Sequence, residues 1–188
     1  MKKSIILGAL VGAAIAFVWG FISWMALPWY DSCFKSFRKP HSVRECICEN
    51  ICESGMYMLP NCSHEGQSDR STFAEEYEKG PVMFASIARH GKPYSMTKNL
   101  IVQAIMLLIT AGIISYIVTR LRPGASYGHR LKIVTLAGLF VAILTAVPNW
   151  NWWCFPSCFT IVNFFDVLLT WFFAGLGIAA FAHPPVKR

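Results

Sequence analysis

Four apolar stretches divide this chain, Ile5–Leu27, Leu100–Thr119, Ile133–Val147 and Phe159–Ala182, and each is almost free of charged residues. A run of about 20 such residues crosses the hydrocarbon core of a bilayer. Lipid offers no partner to backbone N–H and C=O groups, so each run is expected to be a helix. The third run is the shortest, and Pro148 is expected to end it. The pattern predicts an all-α membrane protein: a four-helix transmembrane bundle, with residues 1–27 as the first span and 99–188 holding spans two to four.

Between the first two runs the period changes, and residues 28–98 read as a small α+β cap. Ser42-Val43-Arg44-Glu45 has the form of a capping box and Gly55 supplies a stop, which predicts a helix over Val43–Ser54. Met56–Leu59 and Val82–Ile87 read as short strands bounded by glycine or proline. The segment Asn61–Lys79 is polar and acidic without a hydrophobic period, so it is expected to be an irregular excursion.

Within the spans, polar residues interrupt the pattern at helical spacing. Asn99, Gln103, Met106 and Thr110 share one face of the second span, a face expected to turn toward other helices. Asn163, Asp166 and Thr170 form a polar stripe on the fourth. Gly8 and Gly12 form a GxxxG on the first, where helices can approach closely. The Ala14-Ile15-Ala16 triplet resembles a signal-peptide cleavage site, but the apolar run continues to Leu27, which predicts an uncleaved anchor.

Composition supports the bilayer: 55% of the 188 residues are hydrophobic and 14% are charged, too few to coat a soluble globule. The distribution of charge then orients the spans. Lys2, Lys3, Arg120, Arg122, Arg130, Lys132, Lys187 and Arg188 flank one side with no acid among them, while residues 28–98 hold nine basic and nine acidic residues. The positive-inside rule predicts that both termini are cytoplasmic and that the cap is exported. The net charge of +7 reflects this topology and anionic headgroups, and carries no nucleic-acid signal.

The cysteines point the same way. All seven, Cys33, Cys46, Cys48, Cys52, Cys62, Cys154 and Cys158, fall in the two segments that this orientation exports, where thiols oxidise. They are read as disulfide candidates that staple the cap, and since seven is odd at least one is free or pairs between chains. Two other chemistries fit the spacing. Cys46, Cys48, Cys52, Cys62 and His64 have soft-ligand spacing, although it matches no standard zinc finger, and no metal is expected. Cys154 and Cys158, beside interfacial tryptophans, suggest an alternative of thiol-disulfide exchange coupled to a quinone, though the C-x-x-C of such oxidases is missing. Otherwise no cofactor and no catalytic residue is assigned.

Aromatic residues cluster where helices would leave the bilayer: Trp24, Trp29 and Tyr30 after the first span, and Trp150, Trp152 and Trp153 in a hairpin at 148–158 before the fourth. Asp166 is costly inside a span and is a functional candidate by default, with Gln103 or Ser23 as expected partners. A proton or ion site built from Asp166 would need an oligomer, since four helices leave little room for a pathway.

The segments FVWGFISWMALPWY, SGMYMLP, GPVMFAS and PNWNWWCFP resemble an uncharacterised family of small bacterial four-span membrane proteins with no established activity. The resemblance covers most of the chain. It implies a bacterial inner membrane and transfers a topology without a catalytic residue. The expectation is therefore a multi-pass inner-membrane protein with a structural or interaction role through its cap, partnered by lipid and by a second copy or another membrane or periplasmic protein.

Overall fold

The computed structural model describes residues 2–61 and 70–185. Helix α1 (Lys2–Phe21) runs into a π-helical turn (Ile22–Ala26); α2 (Pro40–Asn50), β1 (Gly55–Leu59), α3 (Arg70–Lys79) and β2 (Met83–Ile87) follow; α4 (Met96–Thr119), α5 (Tyr127–Trp153) and α6 (Ser157–Phe181) complete the chain. Four helices are long and apolar enough to cross a membrane: Lys2–Ala26, α4, α5 and α6. Serine caps open two of them. Ser95 Oγ accepts from the Lys98 N–H and Ser126 Oγ from the His129 N–H, each satisfying a donor that the first turn leaves unpaired.

In space the helices run α4, α1, α6, α5, each packed on the next, while α4 and α5 scarcely meet. Small residues set these contacts. A side chain on Gly8 would strike Ser115 of α4, one on Gly12 would strike Ile178 of α6, and one on Gly177 would strike Val11 and Ile15. The GxxxG of α1 therefore serves two neighbours at once. Ala16, Ala111, Val118, Val134, Ala174 and Ile178 fill the core around these approaches.

Helix α5 corrects the expectation that Pro148 ends the third span. It continues through Pro148 to Trp153 and, at 27 residues, is the longest of the four. Proline removes the hydrogen bond that would reach back four residues. Side chains add bonds on either side of the missing one: Thr145 Oγ1 donates to the Val141 carbonyl and Asn149 Nδ2 to the Thr145 carbonyl.

The face of α4 also differs from expectation. Asn99, Gln103 and Met106 are exposed, and every residue from Met96 to Met106 faces outward. The packed stripe is Leu107, Ala111, Ile114 and Val118, displaced by one residue from the polar one and so rotated by about 100°. Small and apolar side chains allow close approach to Gly8 and Ala9 of α1; the longer polar face does not.

In the cap, the helix begins earlier than the capping box suggests. Pro40 opens α2, Lys39 is its N-cap without a side-chain bond, and Ser42 lies inside the first turn. Strands β1 and β2 pair antiparallel, with Gly55 opposite Ile87 and Leu59 opposite Met83. Part of the expected excursion is helical, since Arg70–Lys79 forms α3.

Candidate functional site

The polar stripe of α6 meets α1 at one carboxylate. Asp166 is 8% exposed, and each of its oxygens accepts a hydrogen bond: Trp19 Nε1 donates to Oδ1 and the Tyr30 hydroxyl to Oδ2, both at 2.9 Å. These replace the expected partners. Gln103 is exposed on α4, and Ser23 is buried with its hydroxyl unpartnered among the described residues. Thr170 donates to the Asp166 backbone carbonyl, and Asn163 is half-buried one turn away.

Local structure delivers Tyr30 to this point. The π-helical turn closes with the Leu27 N–H on the Ile22 carbonyl, and Pro28 then starts a tight turn in which the Cys33 N–H reaches the Tyr30 carbonyl. Trp29 Nε1 donates to the Ser23 carbonyl at 2.9 Å, fixing the turn against the helix that precedes it. Trp24 stacks on Tyr30 with ring centroids 3.9 Å apart, and Trp29 meets both Tyr30 and Trp19 edge-on. Phe159 and Phe173 of α6 close the cage.

Burial, then the charge of Asp166, then the hydrogen bond to it, push the Tyr30 phenol well above its ordinary range. At neutral pH the hydroxyl therefore keeps its proton and remains a donor.

A disulfide pins the same two segments. Cys33, three residues past Tyr30, is bonded to Cys158 in the first turn of α6, with Cα atoms 5.6 Å apart. This corrects two expectations. Cys154 and Cys158 do not form a couple, because Cys158 is bonded to Cys33 and Cys154 Sγ lies 2.8 Å from the Tyr77 hydroxyl. The cap is also not stapled internally among the described residues: Cys46, Cys48 and Cys52 are free, as is Cys154. Cys62 and His64 lie outside the described residues. Among the described residues no group of three His, Cys, Asp or Glu side chains is assembled to hold a metal ion.

Of the interfacial aromatics, Trp24 and Trp29 belong to the cage, whereas Trp150, Trp152 and Trp153 lie on the last turn of α5. Trp153 stacks on Phe84 of β2 at 4.4 Å, and so joins the cap to the bundle. Both ends of the chain gather at the other end of the bundle: Ser4 Oγ donates to the Phe181 carbonyl and accepts from the His183 N–H.

Sequence reasoning missed Trp19 and Tyr30. A depth signal was present: Trp19 lies eight residues inside Leu27, and Asp166 seven residues inside Phe159, so antiparallel spans bring them level. In comparisons with known protein families, curated proteins and solved structures, the chain matches none.

Proposed function

We propose that this chain is a multi-pass protein of the bacterial cytoplasmic membrane, with cytoplasmic termini, that acts as a scaffold presenting its exported cap to a partner. The observation that carries this reading is the engagement of both Asp166 oxygens by Trp19 and Tyr30, next to the Cys33–Cys158 bond. The one intramembrane carboxylate and the one disulfide among the described residues join the exit of α1 to the start of α6. Both thereby set the position of the segment that leads into the cap. Basic residues at the opposite end and a disulfide at the cap end agree with export of the cap.

The test separates a scaffold from a transporter and from a thiol enzyme. A photo-crosslinking residue at exposed Tyr94 is expected to give one discrete protein adduct in intact cells, and the same residue at lipid-facing Phe140 is expected to give none. Proton flux into proteoliposomes that vanishes in Asp166→Asn would establish transport instead. A Cys33–Cys158 bond that cycles with quinone supply would establish an enzyme.

A further inference from the structure

The cap and the end of α5 enclose a cleft of about 520 Å³. Its cap wall is made by Met58 and Leu59 of β1, Phe73 of α3 and Phe84 of β2; its floor is Trp152 and Trp153. Polar groups in the lining are few: the Tyr77 hydroxyl and the Cys154 thiol lie 2.8 Å apart, and Glu78 and Asn151 are the others. The volume falls within the range of about 300–1,000 Å³ typical of small-ligand sites, and an apolar body with a few polar groups at one end is the usual form of such sites.

We propose that this cleft binds one acyl chain of a membrane lipid, with the ester end of the chain held at the Tyr77–Cys154 edge. The proposal rests on the membrane reading above, and three observations select the occupant. Helix α5 has 27 residues and so is about 40 Å long, against a hydrocarbon core of about 30 Å. Trp150, Trp152 and Trp153 on its last turn mark this as the end anchored in the headgroup layer, and the same turn floors the cleft, beside the surface where acyl chains begin.

Second, the lining is large, apolar and open: Trp152 is 71% exposed and Leu59 47%. A polar solute would gain nothing from these walls, while an alkyl chain removes them from water. Third, the polar edge matches an ester. Either partner of the Tyr77–Cys154 pair can donate, and with the thiol donating the phenol O–H is free to bond a carbonyl oxygen. Glu78 also lines the cleft, and its negative charge disfavours a fatty acid anion relative to an esterified chain.

The experiment uses the full chain in proteoliposomes containing a phospholipid with a diazirine midway along one acyl chain. After illumination, adducts are mapped by mass spectrometry. Bulk lipid labels the spans, Ile105 of α4 among them; only a chain inside the cleft places its middle against Met58, Phe73 or Phe84 of the cap. Adducts on these cap residues are expected, and they should fall at least tenfold in Ala74→Trp, which fills the cleft, while labelling at Ile105 is unchanged. Retention of the Cys33–Cys158 bond on a non-reducing gel reports that the variant has folded; if it has not, Leu59→Trp takes its place.

Adducts confined to the spans of the wild-type protein overturn the proposal and leave the membrane reading intact. Absence of adducts from the spans as well overturns the membrane reading itself.

Discussion

The Tyr30 hydroxyl donates to Oδ2 of Asp166 at 2.9 Å across 136 residues of chain, and it does so from a turn just outside the helix rather than from a span. The carboxylate thus takes one donor from within α1 and another from the segment that leaves it. Replacing Asp166 by alanine strands the buried Tyr30 hydroxyl, at about 1–3 kcal/mol, and the half-buried Trp19 indole N–H, at somewhat less. Asp166→Ala is expected to lower stability by about 2–5 kcal/mol in detergent. Asp166→Asn keeps one acceptor and should lose about half as much. Thermal unfolding of the three proteins checks this, and equal losses for both variants would argue against the two-donor clamp.

Alkaline pH tests the same contact from the other side. The folded protein holds the Tyr30 proton more tightly than the unfolded chain, in which a tyrosine titrates near about 10. The stabilisation is therefore fully present below pH ~10 and declines as pH rises further, because the unfolded state then releases a proton that the folded state retains. Measured between pH 8 and 11, the wild type should lose stability faster than Tyr30→Phe. Parallel curves would show that Tyr30 does not titrate as its burial implies.

The four long apolar helices were legible because a threshold of about 20 apolar residues is a one-dimensional property. Features that depend on the identity of a neighbour were not. Pro148 is a helix stop only if the turns on either side cannot hold the chain across the missing bond, and here the side chains of Thr145 and Asn149 bond the Val141 and Thr145 carbonyls flanking it. On α4, polar residues and small residues form adjacent stripes, and the choice between them turned on the glycines of α1, which are a property of a different helix. The partners of Asp166 needed depth matching between two spans, and Trp19 looked like one more membrane aromatic. Seven cysteines allow many pairings, so position relative to the membrane indicated oxidation without indicating that Cys33 pairs with Cys158.

That pairing has a direct chemical readout. Alkylation of the oxidised protein under denaturing conditions should modify Cys46, Cys48, Cys52 and Cys154, and prior reduction should add only Cys33 and Cys158 among the six described cysteines. Cys33→Ser removes a cross-link spanning 125 residues and is expected to cost about 2–4 kcal/mol, whereas Cys154→Ser should be nearly neutral. A blocked Cys154 in the oxidised protein would contradict the arrangement.

Helix packing supplies the last test, because the glycines differ in what surrounds them. A Cβ on Gly138 would collide with Trp171 of α6, and a Cβ on Gly12 with Ile178; around Gly20 nothing lies within 4 Å. Overpacking a tight contact costs about 1–3 kcal/mol, since either the side chain or the helix must move. Gly138→Val and Gly12→Val are expected to fall in this range, and Gly12→Val should also weaken the approach of α1 to α6 that brings Trp19 onto Asp166. Gly20→Ala meets no obstacle and should be neutral or slightly stabilising, because alanine is the better helix former by about 1 kcal/mol. Indole fluorescence separates the two glycines in contact: Gly12→Val should shift the emission of the half-buried Trp19, and Gly138→Val, whose effect falls on Trp171, should leave the Trp19–Asp166 contact in place. If Gly20→Ala were as damaging as Gly12→Val, the loss would reflect helix α1 itself rather than its close approach to α6.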